Sequence, residues 1–266
     1  MSKVLALAEL QIGFHLFARI KGRLTPTPEA DMLFNEADRI FNQMNTINEL
    51  ADNIQNQHTG KLSIGITPAL GFNVIPSVLK SFQKKHANVK VEIQTLHNHH
   101  ILNHLLRQES DLAIMFSPSE IPDTLRFDFG HGEMVCVTPN QTNYPQEPTL
   151  EIAQLQALPY ISIRKSGPLG DLLTRQVEAN EEKLSSLIQV DTYYVALQMV
   201  KQGLGWCVID EFTATANLDN SIQVRSLNNP IRFPVVGMAS SFQPLSNLTR
   251  AFVEHVKLQL CELSPP

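Results

Sequence analysis

Gly60-Lys61-Leu62-Ser63-Ile64-Gly65-Ile66-Thr67-Pro68-Ala69-Leu70-Gly71 reads as a short strand that runs straight into a helix start. The run from Leu62 to Ile66 is apolar and of strand length, and a helix is expected over residues 70–86. The same texture repeats downstream. Strands are expected at 89–95, 111–116, 134–138, 160–163, 187–192 and 206–209, with shorter ones at 222–224 and 234–239. Helices are expected at 102–108, 150–156, 168–180, 193–202 and 245–260. Such alternation predicts an α/β fold of two lobes with largely parallel sheets.

In a parallel α/β sheet, ligands sit beyond the carboxyl ends of the strands. The first strand ends in Thr67, Pro68, Ala69 and Leu70, whose helix-start amides and hydroxyl suit a carboxylate. Ser117 follows the strand at 111–116, Arg164 the one at 160–163, and Thr192 and Tyr193 the one at 187–191. If they face each other across two lobes, these residues form a small-molecule cleft of hydroxyls, amides and one guanidinium, with Arg164 able to hold a carboxylate bidentately. The plain alternative for each Ser or Thr is a helix cap.

Upstream, residues 27–58 read as one long helix, opened by the cap pair Thr27-Pro28 and closed by Gln57-His58-Thr59-Gly60. Leu33, Ile40, Ile47 and Ile54 recur every seven residues, and Ala37, Met44 and Ala51 fall four residues after the first three. That is a seam of period 3.5 between polar faces, the pattern of helix-to-helix dimerisation; the alternative is a helix lying on its own domain's core. Residues 1–26 come first. Gly13 is placed to end a helix over 2–12, and Lys21-Gly22-Arg23 forms a turn between two extended pieces.

Charge follows this division. The 266 residues carry 21 basic and 26 acidic side chains, a net charge of -5, which argues against a surface coated for nucleic acid. Residues 1–24 nevertheless hold Lys3, Arg19, Lys21 and Arg23 against Glu9 alone. A basic start on an acidic body fits contact with a polyanion at one end only. No secretion signal and no apolar run long enough to span a bilayer are present, so a cytoplasmic protein without membrane contact is expected.

Enzyme signatures are missing from the sequence. There is no nucleophile elbow, phosphate-cradling loop or zinc-protease helix, and Gly203-Leu204-Gly205 runs into bulky Trp206, as a helix cap before a buried strand would. His97, His99, His100 and His104 cluster without a carboxylate or thiol at ligand spacing. Cys136, Cys207 and Cys261 are scattered in apolar runs, as reduced buried thiols. No catalytic residue, metal or cofactor is expected.

Several stretches together resemble the LysR-type transcriptional regulators. Glu9-Leu10-Gln11-Ile12-Gly13-Phe14-His15-Leu16-Phe17 resembles the family's helix end and Leu-Gly-x-x-Leu-Phe signature, and Arg23-Leu24-Thr25-Pro26-Thr27-Pro28-Glu29-Ala30 its wing exit and linker-helix start, with Glu29-Ala30 where a Gly is common. Gly60-Lys61-Leu62-Ser63-Ile64-Gly65, Asp111-Leu112-Ala113-Ile114 and Val200-Lys201-Gln202-Gly203-Leu204-Gly205-Trp206 also match family patterns, although Asp210 replaces a proline often seen after the last. The resemblance implies a winged helix-turn-helix, a dimerising linker helix and a two-lobed effector domain like a periplasmic binding protein, residues 61–135 plus 234–262 forming one lobe and 136–233 the other. It also implies promoter DNA and a small-molecule effector as partners, and a homodimer or homotetramer. The segment at 19–23 and the following helix most resemble the amino-acid and opine branch, which points to a small amino acid or related carboxylate. Ser2, Lys3, Arg19, Lys21 and Arg23 become the expected DNA contacts. Ser2-Lys3-Val4-Leu5 aligns with the middle of the family's recognition helix. The resemblance therefore implies a head cut short, weak or absent DNA binding, and Val4, Leu5, Leu7 and Leu10 left without partners. A stand-alone small-molecule-binding protein of the same fold is the competing expectation.

Overall fold

The computed structural model describes residues 3–20, 22–34, 36–37, 40–41, 44, 47, 60–97, 100–101, 104–105, 107, 109–118, 121–164, 167–179, 184–242 and 244–263. The chain divides into two compact units, Met1–Gln55 and Asn56–Pro266.

In the first unit, α1 (Lys3–Ile12) ends at Gly13, whose φ of +84° is a conformation glycine adopts freely and whose amide donates to the Glu9 carbonyl. A hairpin follows. β1 (Phe17–Ile20) pairs antiparallel with β2 (Arg23–Pro26), and Gly22, at φ +81°, makes the turn. The carboxylate of buried Glu9 ties helix to hairpin. It accepts the amides of Leu16 (2.7 Å) and Phe17 (3.3 Å) and lies 3.1 Å from His15 Nδ1. The His15 contact first, and then the Leu16 and Phe17 amides, favour the ionised form and hold the Glu9 pKa below its ordinary value. Thr27 then caps the next helix by accepting the Ala30 amide at 3.2 Å. The described residues from 28 to 47 are helical.

The second unit is built on one mixed sheet. Its strands are β3 (Lys61–Ile66), β4 (Lys90–Thr95), β5 (Leu112–Phe116), β6 (Thr124–Pro139), β7 (Thr149–Leu150), β10 (Cys207–Asp210) and β11 (Ile222–Ser240), in the order β10-β6-β11-β5-β3-β4, with β7 beside β11. A separate parallel pair, β8 (Tyr160–Ile163) and β9 (Ser186–Val190), adjoins it through a bridge between Tyr160 and Trp206. The helices are α2 (Val74–Gln83), α3 (Pro168–Ala179), α4 (Tyr193–Lys201), α5 (Glu211–Ala216) and α6 (Asn247–Leu263).

Four expectations need correction. The sheet is not largely parallel: only β3-β4, β3-β5 and the short β7-β11 contact are, and its centre is the antiparallel ladder of β6 with β11. The stretches at 222–224 and 234–239 are one strand of 19 residues, β11, and its prolines sit at register shifts (226/231 and 234/236) where the ladder gives way locally. β6 begins at Thr124 rather than near 134, because the charged residues Arg126, Asp128 and Glu133 hide its first half from a search for apolar runs. The helix expected over 70–86 splits into a 3-10 turn, Pro68–Gly71, and α2; α5 was not anticipated.

Alternate residues of the sheet feed different cores. Cys136 and Val208 pair on one face, with Trp206, Phe212 and Phe233 in the same core; Val137 and Cys207 pair on the other, with Ile161, Leu197 and Ile209. Trp206 is fully buried, and its indole nitrogen donates to the Leu155 and Leu158 carbonyls at 3.1 and 3.3 Å. The residue before it has no room for a side chain. Gly205 has a φ of +154°, and a Cβ there would lie 2.4 Å from the Pro159 carbonyl oxygen, which itself accepts the Trp206 amide. Gly205→Ala should therefore cost about 1–3 kcal/mol or more in urea unfolding; an unchanged midpoint would refute this account of the turn.

Candidate functional site

A cavity of about 90 Å³ opens within the second unit. One wall comes from the carboxyl ends of β3 and β5: Thr67, Pro68 and Ala69 from the 3-10 turn, and Phe116. His97, just after β4, and Phe72 extend it. The opposite wall is made of helix starts: Pro168 and Leu169 of α3, then Asp191, Thr192, Tyr193 and Tyr194 at the start of α4, with Thr213 of α5 beside them. Phe72 stacks on Tyr194, ring centroids 5.3 Å apart.

Local chemistry explains these positions. Thr192 is extended and accepts the Val195 amide through its hydroxyl at 3.4 Å, so it starts α4 and faces the cavity. Thr213 is set by Asp210, the fully buried cap of α5, whose carboxylate accepts both the Thr213 amide and its hydroxyl at 2.8 Å. Because that hydroxyl proton is already given away, the Thr213 oxygen offers the cavity an acceptor.

Of the residues expected to bind effector, Thr67, Pro68, Ala69, Thr192 and Tyr193 line the cavity together. Leu70, Ser117 and Arg164 do not. Leu70 is fully buried in the core; Ser117 has a φ of +40° and donates its amide to Pro234. Arg164 turns its Nε to Asp191 Oδ1 at 3.1 Å, and both side chains are about 70% exposed. The acid of that pair, rather than the base, lines the cavity. His97, Asp191 and Thr213 were missed. Asp191 stood beside Thr192 at the predicted strand end, whereas Thr213 depends on a helix whose six residues are too few to show a period.

Elsewhere, Lys3 and Arg19 are exposed, and Leu33, Ile40, Met44 and Ile47 are 42%, 59%, 55% and 64% exposed, with Ala37 half-buried. Phe34 and Phe41, one position on from Leu33 and Ile40, are exposed too. Ser2, Lys21, Ala51 and Ile54 lie outside the described residues, as does the side chain of Arg23. On α1, Val4, Leu7 and Leu10 are exposed and Leu5 is half-buried. His104 Nδ1 lies 2.8 Å from Glu109 Oε2, and the described residues contain no group of three or more acidic, His or Cys side chains placed to hold a metal. No helix among them is long and apolar enough to cross a membrane.

A two-lobed α/β domain with a cleft of aromatic and apolar walls carrying a few hydroxyls and one carboxylate, in a chain that also carries a hairpin unit and a helix with an exposed heptad stripe, is the plan of a ligand-responsive regulator. Residues 55–260 match the family model described as the LysR substrate binding domain. The HTH-type transcriptional regulator DgcR of Pseudoalteromonas sp is 39% identical over 257 residues, covering 96% of this chain and 88% of that protein. In fold, the chain resembles a full-length OxyR variant from Pseudomonas aeruginosa (TM-score 0.72, 17% identity, 96% and 83% coverage) and CbnR solved with its target DNA (TM-score 0.74, 14% identity, 96% and 87% coverage). The chain belongs to the LysR-type transcriptional regulators, and the periplasmic-binding-protein-like α/β fold expected from its sequence is the one observed.

Burial raises Asp210 to about 6, so the folded protein holds this proton more tightly than the unfolded chain does. Its stabilising effect is complete below about pH 4 and is lost as pH rises through about 6. Relative to Asp210→Asn, the wild type should lose stability on the order of 3 kcal/mol between pH 4 and 7 in urea titrations. Parallel curves for the two proteins would remove Asp210 from this role.

Proposed function

We propose that this LysR-type regulator senses a small amino acid or related carboxylate held in the cleft between residues 61–135 plus 234–262 on one side and 136–233 on the other. The observation that carries this reading is the convergence of Thr67, Asp191, Thr192 and Thr213 on one 90 Å³ cavity. Amides at the starts of the 3-10 turn, α3 and α4 suit a carboxylate, and Asp191 with the Thr213 oxygen suits an ammonium. The small volume favours a compact molecule. Arg164 acts at one remove, through its pair with Asp191, so Arg164→Ala should matter less than a direct carboxylate clamp would. Closing the lobes on the ligand is a population shift toward one arrangement of the effector domain.

A panel of amino acids and their deaminated acids, screened by melting temperature and then by calorimetry, tests the reading. At least one amino acid should bind saturably. Asp191→Asn should weaken it about ten- to a hundredfold while leaving the deaminated acid within about twofold. A panel without a hit, or equal loss for both ligands, would sink the assignment.

The partner across the linker helix is a second copy of the chain, forming a homodimer or, by pairing of dimers, a homotetramer, with promoter DNA as the macromolecular target. Exposed Leu33, Ile40, Met44 and Ile47 support the dimer, and Phe34 and Phe41 widen their stripe. Of the expected DNA contacts, Lys3 and Arg19 are described and exposed, as phosphate contact requires. Ile40→Glu combined with Met44→Glu should lower the mass in analytical ultracentrifugation at micromolar concentration; an unchanged mass would place the interface elsewhere.

A further inference from the structure

Thr213 lines the cleft, but what it offers there is decided behind the wall. Its hydroxyl lies 2.8 Å from Asp210 Oδ2 and its amide 2.8 Å from Oδ1, so one fully buried carboxylate takes both donors. A hydroxyl has one proton and two lone pairs. While Asp210 is ionised, that proton points back at Oδ2 and a lone pair is left for the cleft. Once Asp210 is protonated, the acid itself donates to Thr213 Oγ1, and the hydroxyl proton turns toward the cleft. The same oxygen then meets a ligand as a donor.

The surroundings of Asp210 keep its two forms close in free energy. Burial disfavours the charge, whereas the Thr213 amide and hydroxyl, and less strongly the Asp210 and Phe212 amides, support it. Between them the group titrates at about 6, with no charged neighbour among the causes. The groups that face it bring no cation. Tyr193 approaches from α4, its phenol held above its usual value by burial and then by the Asp210 charge. Glu211 follows in α5, raised mainly by burial, and accepts the amide of Glu133 on β6 at 3.0 Å. Arg232 of β11 lies 3.8 Å from the Glu133 carboxylate.

Resting on the reading of the cleft as an amino-acid site, we propose that Asp210 is a positioning residue for the effector. Through Thr213 it sets whether the cleft presents a lone pair or a proton, so an ammonium-bearing ligand binds with Asp210 ionised and expels its proton to solvent.

The test is a pH profile of binding. The full chain is titrated by calorimetry between pH 5 and 7.5 with each uncharged amino acid, glycine through phenylalanine, none of which itself titrates in that range. The matching α-hydroxy acid, whose hydroxyl can both give and take a hydrogen bond, serves as the amine-free counterpart. The amino acid that binds tightest should do so about tenfold more weakly at pH 5 than at pH 7.5, the ratio expected when the ionised form alone accepts it. The hydroxy acid should stay within about twofold. In Asp210→Asn the side-chain amide donates to Oγ1 as the protonated acid does, while its oxygen still accepts the Thr213 amide. That variant should therefore hold the amino acid at the weak, pH 5 affinity throughout. Thr213→Val should flatten the profile as well, and Thr213→Ser should keep it. Circular dichroism checks folding, and either flattened variant serves if the other does not fold. A profile that is flat in the wild type, or shared by the hydroxy acid, overturns the proposal and leaves the amino-acid reading standing. So does a slope that persists in Asp210→Asn or Thr213→Val, which would belong to Asp191 or His97 of the cleft wall. Absence of amino-acid binding at every pH overturns both.

Discussion

The antiparallel ladder between β6 and β11 is the constraint on which the effector domain depends. Two strands of 16 and 19 residues run side by side, and every other strand of the large sheet is hung from them directly or through a neighbour. β10 adds at one edge and β5 at the other, and β5 in turn places β3, whose carboxyl end carries Thr67 into the cleft. The opposite wall follows from local capping. Thr192 and Asp210 each spend a side-chain oxygen on an amide, and in doing so start α4 and α5 where their first residues face the cavity. Long-range pairing sets one wall and short-range hydrogen bonding the other.

The sequence revealed those parts of this arrangement that local chemistry governs. Strand-to-helix transitions with a hydroxyl at the junction, as at Thr67 and Thr192, can be read because a short apolar run, a cap and a helical period follow one another directly. The same holds for Gly13, Gly22 and Thr27-Pro28, where turn chemistry dictates the backbone. Arg164 stands outside the cavity lining for a different reason. An exposed guanidinium pairs with any nearby acid, and its neighbour Asp191 comes from a different strand, 27 positions along. Nothing in the local pattern announces such a partner.

The mixed sheet was not legible for a related reason. β11 contains Pro230 and Pro234, ordinary breakers of a strand, and tolerates them at register shifts that only its pairing with β6 defines. The first half of β6 carries charged residues in the alternation of a half-exposed strand rather than as an apolar run. Both features belong to pairing between residues roughly a hundred positions apart, so a search for local runs divides what the fold joins.

The cysteines show what such a sheet excludes. Cys136 and Cys207 lie on adjacent strands, yet the pleat sends them to opposite cores. Burial raises the Cys136 thiol to about 12 and the Cys207 thiol well above its ordinary value, so at neutral pH neither presents a thiolate. Peroxide would find no nucleophile at either position, and joining the two sulfurs would require a strand to turn over within the sheet. Through these two positions the domain is blind to oxidants.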